Sequence, residues 1–225
     1  MKVALCISGE FRNSVFCFPT IYKNFILNYD TDVFIHTWSS ASDSINLYQP
    51  KKILIENQED VLKSEFAKIN LSNNVKVNPY SNMNNNILMY YGIKKVIEMV
   101  DDSYDFIVRI RPDLYLNNKL HLDDIFSDLN NGKYDLQIPN RRQNHKGIND
   151  QIAIGKFKEM KYYSRVSDNF NIIVNTTKYW HPEIILDVFL KGLKFKINQL
   201  DYEYGLVRNV NVEFSPSTNI NYKSI

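Results

Sequence analysis

Three short polar stretches carry the residue types from which an active site is made. Ser8-Gly9-Glu10-Phe11-Arg12 follows an apolar run and offers a glycine at which backbone can approach a ligand, beside an arginine able to pair with phosphate. Its spacing is neither GxGxxG nor GxxxxGK, so dinucleotide fingerprints and P-loops lose support, and an ordinary turn is the alternative. In the stretch 105–113, an extended chain puts Arg109, Arg111 and Asp113 on one face and Phe106, Val108 and Ile110 on the other. Such a row fits an exposed sheet face, an internal Arg-Asp pair, or a strand-end carboxylate that holds a divalent cation while arginines neutralise a diphosphate. Mg²⁺ or Mn²⁺ needs only one or two protein carboxylates when phosphate oxygens and water complete its shell. The third stretch, Asn149-Asp150-Gln151, stands between a polar loop and an apolar segment. It serves either as an Asx turn or helix cap, or as a carboxylate that accepts a hydroxyl proton or positions a sugar hydroxyl.

These stretches matter only if the elements around them bring them together. Residues 3–7, 31–36, 52–55, 105–110, 134–138 and 151–154 read as strands from their short apolar runs, the fourth ended by Pro112. Helical spacing is expected within 14–27 from about Pro19, and over 59–69, 84–100, 156–173 and 182–193, the last opened by Pro182. Strands alternating with helices predict an α/β fold whose central sheet is largely parallel and flanked by helices. In such a sheet the ligand crevice lies beyond the carboxyl ends of the strands, which is where the first two polar stretches fall. His36 and Thr37 also follow a strand, and His181 precedes a helix; each histidine is either a hydrogen-bonded structural residue or a ligand.

Composition bounds the rest. The chain has 225 residues, of which 44% are hydrophobic and 23% charged, and this fits one domain over residues 1–225. A chain of this size removes about 70% of its unfolded surface from water, so neither metal nor disulfide is needed to hold it together. Lys+Arg 27 against Asp+Glu 25 lacks the basic excess of a phosphate-driven nucleic-acid binder, so no nucleic-acid partner is expected. Cys6 and Cys17 lie in apolar runs without CxxC or Cys/His spacing and read as buried free thiols of a reducing compartment. The first apolar run is too short for a signal peptide, and no stretch approaches the roughly 20 apolar residues of a membrane span. A cytoplasmic location, at most peripheral to a membrane, is the expectation. Asparagine clusters such as 84–86 and 130–131 serve as punctuation between periodic segments.

Five segments, ALCISGEFRN (4–13), DVFIHTW (32–38), MYYGIKKVIEMV (89–100), the run 103–116 containing RIRPDL, and NDQIAIG (149–155), resemble a family of small glycosyltransferase-like proteins. These come from polysaccharide and lipopolysaccharide loci and large DNA viruses, and their pattern is SGQ-R, DVFIHTW, RxRPDL and NDQFAIG in this order. The match spans roughly residues 1–195. The resemblance implies a glycosyltransferase A-type fold that moves a hexosyl or pentosyl group from a nucleoside diphosphate sugar to a glycan or lipid-linked acceptor. It places Asp113 where such enzymes have the final Asp of their DxD motif, the ligand of Mn²⁺ or Mg²⁺ and of the diphosphate. Ser8, Gly9, Arg12, His36, Arg109, Arg111 and Asp113 are then the expected donor-binding residues, and Asp150 with Gln151 the expected catalytic pair. Two departures stand out: Arg111 occupies the place of the first Asp of DxD, and Glu10 stands where the family often has Gln.

Overall fold

The computed structural model describes residues 1–41, 43–79, 81–140, 147–208 and 211–214. The first strand, β1 (Lys2–Ser8), is followed by α1 (Ser14–Ile21), β2 (Asp30–Trp38), β3 (Lys52–Glu56), α2 (Gln58–Phe66) and the two-residue β4 (Lys76–Val77). Next come α3 (Met83–Glu98), β5 (Phe106–Ile110), β6 (Leu114–Leu116), α4 (Leu122–Asn130), β7 (Leu136–Pro139) and β8 (Ile152–Lys156). The chain continues through α5 (Phe157–Tyr163), α6 (Phe170–Thr177), β9 (Tyr179–Trp180), α7 (Pro182–Gly192), β10 (Ile197–Leu200), β11 (Tyr204–Arg208) and β12 (Asn211–Phe214).

The central sheet has seven strands in the order β10-β7-β8-β5-β1-β2-β3. Pairing is parallel throughout except at β8, which runs antiparallel to both β5 and β7. The expected largely parallel sheet is therefore present, with one reversed strand inside it. That reversal has a positional consequence: Ile110, the last residue of β5, pairs with Ile152, the first of β8. The residues that precede β8 thus share an edge with those that follow β1 and β5.

The strands β1, β2, β5 and β8 divide their side chains between two cores, as period-two geometry requires. Val3, Leu5 and Ile7 join Phe106, Val108 and Ile110 beneath α1 and α4. Ala4, Cys6 and Ile107 face the other way, onto α3, α5, α6 and α7. Cys6 and Cys17 are buried and unpaired. Burial pushes the Cys6 thiol well above its usual value and that of Cys17 up to about 12, which keeps both as inert packing groups.

Several boundaries differ from the sequence reading. Helix α1 begins five residues before Pro19 and carries the proline inside it, followed by a wide π-type turn at Tyr22–Ile26. The carbonyl that Pro19 leaves without a donor is that of Val15, a residue 51% exposed, so water can satisfy it. The single helix expected over 156–173 is α5 and α6 joined by a 3₁₀ segment, Ser164–Asn169. The strands β6, β11 and β12 form a separate three-stranded sheet that carried no clear sequence signal. Among the described residues, no helix is long and apolar enough to cross a membrane.

Candidate functional site

The loop after β1 is shaped by Gly9, whose φ of 133° is a conformation that side chains resist. Its N–H donates to the His36 carbonyl at 3.2 Å, and its own carbonyl accepts from Thr37 Oγ1 at 2.9 Å. A Cβ built on Gly9 would stand 3.3 Å from Cδ of Pro112, so the loops after β1 and β5 touch here. Beyond the glycine, Phe11 is buried edge-on against Tyr48 and anchors the loop. Arg12 then projects outward, 58% exposed, in an ion pair with Glu10. The hydrogen bond that Arg12 donates to Glu10 raises the Arg12 pKa, and the more distant Asp113 adds to it while Arg111 opposes it.

At the end of β5 the expected charged row splits. Arg109, an expected donor-binding residue, is wholly buried and presents no surface in this structure. One terminal nitrogen donates to the Asp150 carbonyl and the other lies 3.4 Å from Ser8 Oγ, while Nε is buried without a partner. Burial lowers its pKa, and the electrostatic influence of Tyr163 and Asp150 works against that shift. Burial likewise pushes the neighbouring Tyr163 hydroxyl up to about 12. Arg109 therefore ties the end of β1 to the entrance of β8 from behind.

Arg111 and Asp113 form a two-pronged ion pair, with Nε on Oδ1 and the terminal nitrogen on Oδ2, both at 2.8 Å. The Arg111 side chain is 26% exposed and that of Asp113 is 9% exposed. Burial would lower the Arg111 pKa, but the charge and hydrogen bonds of Asp113, with a further push from Asp150, raise it well above the usual value. A cation at the expected ligand Asp113 would have to compete with Arg111 for both carboxylate oxygens. Among the described residues no group of three or more His, Cys, Asp or Glu is placed to hold a metal ion, so any cation here would draw most of its shell from phosphate oxygens and water.

The segment before β8 divides its work among three side chains. Asn149 Oδ1 accepts the Gln151 N–H at 2.9 Å, and Asn149 Nδ2 donates to the Tyr204 hydroxyl of β11. The Asx-type turn thus belongs to Asn149, and Asp150 is followed by a strand, so it caps no helix. Asp150 is 7% exposed and acts electrostatically on Arg109, Arg111 and Tyr90. Gln151 keeps its Oε1 buried without a hydrogen-bond partner.

His36 lies away from this cluster's open side. It is fully buried, with Nε2 2.9 Å from Glu56 Oε2 and edge-on packing against Trp38 and Tyr91. Expected as a donor-binding residue, it presents no exposed surface in this structure. Ser8, 3% exposed, is also turned inward toward Arg109. The open part of the cluster consists of Gly9, Glu10, Arg12, Arg111 and the small exposed fractions of Asp113 and Asp150. Sequence reasoning noted Glu10 only as a departure, and it missed Tyr204 and Gly147. Gly147, at φ 119°, packs so tightly on the Glu183 backbone that a Cβ would come within 2.7 Å of it. Tyr204 gave no signal because β11 pairs outside the main sheet.

The mostly parallel α/β sheet flanked by helices is of the glycosyltransferase A type, on the structural likeness that follows. Among solved structures the chain is similar to mouse xyloside xylosyltransferase 1 in its apo form, at 7% identity and a TM-score of 0.50, over 89% of this chain and 84% of that one. At that identity the likeness is one of fold. No protein-family model and no curated protein matches the sequence.

Proposed function

We propose that the protein is a glycosyltransferase that moves a hexosyl or pentosyl group from a nucleoside diphosphate sugar to a glycan or lipid-linked acceptor, in polysaccharide assembly. The observation that carries this reading is the meeting of Arg12, Arg111, Asp113 and Asp150 at one edge of a glycosyltransferase A-type sheet. The order of the SGE-R, DVFIHTW, RIRPDL and NDQIAIG segments supports it. Departure of a nucleoside diphosphate builds negative charge, and preorganised guanidinium groups stabilise such charge strongly where water is thin. Asp150, held by its own carbonyl rather than its carboxylate, retains a carboxylate that can accept a hydroxyl proton or orient the donor sugar.

A second reading is a nucleotide-sugar or glycan-binding module of the same fold without turnover. What favours it is Arg111 in the place of the first DxD carboxylate, with Asp113 engaged by that arginine. One experiment separates the two. Nucleotide sugars are screened for transfer and slow hydrolysis, and Asp150→Asn is assayed on the substrate found. The transferase reading expects turnover to fall by about 10²- to 10⁴-fold with donor affinity nearly unchanged. Binding without transfer or hydrolysis of any donor supports the module instead.

A further inference from the structure

We propose that Arg12 and Arg111 form a metal-independent diphosphate subsite in which Glu10 and Asp113 occupy the two guanidinium groups until the anion displaces them. The inference rests on the donor class proposed above and goes on to state how its charge is met. Each arginine already holds an oxyanion where a phosphate oxygen would be held. Asp113 meets Arg111 through two parallel bonds of 2.8 Å, and carboxylate and phosphate present the same paired oxygens to a guanidinium fork. Glu10 holds Arg12 through one oxygen at the outer rim, where both side chains face solvent.

The two pairs are neighbours. Arg12 experiences the charges of both Asp113 and Arg111, and the Gly9 loop lies against Pro112 between them. A diphosphate entering here exchanges one pair of oxyanions for another, so each guanidinium keeps its bonding; Glu10 is freed to solvent at the rim, while Asp113, 9% exposed, turns away from Arg111 at the larger cost. A divalent cation has a different reception. It meets two carboxylates already committed to guanidinium and a field to which Arg12 and Arg111 add positive charge directly, with Arg109 buried behind them. The substitution of Arg111 for the first DxD carboxylate and the presence of Glu10 beside Arg12 are then two parts of one arrangement.

The arrangement makes a prediction of opposite sign to metal coordination. If Asp113 and Glu10 compete with the ligand, neutralising them tightens anion binding; if they hold a cation, neutralising them weakens it. The test is calorimetric titration of the full chain with inorganic pyrophosphate in EDTA, and with uridine and guanosine diphosphates in EDTA and in Mn²⁺. The expected result is pyrophosphate binding in EDTA, tightened about 2- to 5-fold by Glu10→Gln at its exposed site and weakened tenfold or more, roughly, by Arg12→Ala. Asp113→Asn is expected to tighten it about tenfold; if that variant fails to fold, the sign of the Glu10→Gln effect decides. Binding that requires Mn²⁺, weaker binding by both carboxylate variants, or no pyrophosphate binding overturns the proposal. Failure of the transferase reading looks different: pyrophosphate binds in EDTA with the expected signs, yet no nucleotide sugar is turned over.

Discussion

His36 shows how a residue's position after a strand can mislead. The sequence put it beside the crevice, but period two sends it to the same face as Phe34, beneath α3, where a Cβ on Gly92 would come within 3.0 Å of its Nδ1. Burial lowers its pKa below the usual histidine value, opposed by its bond to Glu56 and aided by the charge of Lys95. The native protein therefore binds fewer protons here than the unfolded chain once pH falls below the unfolded value of about 6.5. Stability attributable to His36 is intact above that pH and is lost as pH falls toward the lower native value. Melting wild type and His36→Gln at pH 7.5 and pH 5.5 is expected to show the larger drop in wild type; parallel drops would remove His36 as the cause. In Asn149-Asp150-Gln151 the polar triplet was legible, but not which residue makes the turn, since Asn and Asp form Asx turns equally well. Arg109 and Arg111 were legible as an alternating pair, yet the burial of the first depends on the helices that close over it, which no spacing rule contains.

At the level of elements, alternation of strand and helix identified most of the main sheet and left the direction of β8 open. An apolar run has the same pattern in either direction, and only the segment before it decides how the chain enters the sheet. That entry is fixed at Gly147. Its φ of 119° and the Glu183 backbone, 2.7 Å from where a Cβ would stand, leave no room for a side chain, while the next residue, Ile148, donates its N–H to the Glu183 carbonyl at 3.0 Å. Gly147→Ala is expected to cost about 1–3 kcal/mol for the positive φ alone, and to shift the segment that carries Asp150 off the start of α7. Urea denaturation together with donor turnover checks this: both stability and turnover fall together. Wild-type stability in the variant would mean that the segment does not press on α7. The strands β6, β11 and β12 escaped the sequence reading because they are short and pair with each other rather than with the central sheet.

For the whole molecule, the near balance of Lys+Arg 27 against Asp+Glu 25 conceals a strong local arrangement of charge. Composition argues against a general phosphate-binding surface, but it carries no information about guanidinium groups concentrated at one sheet edge. The two cores share β1, β2, β5 and β8, whose alternate residues pack into one or the other. Loss of either helix layer therefore exposes the opposite face of the same sheet to water, and the two layers are expected to unfold together. The candidate site is attached to that shared sheet through Gly9, Arg109 and Asp150, so a ligand held there stabilises both layers. A nucleotide present at 100 times its dissociation constant adds about 2.7 kcal/mol to the folded state. For a chain of this size that corresponds to roughly 5–11 °C in Tm, at about 2–4 °C per kcal/mol. Calorimetry in reducing buffer is expected to give one transition that moves as a whole with ligand. Two transitions, of which only one moves, would show that the site belongs to a part of the molecule that folds without the other layer.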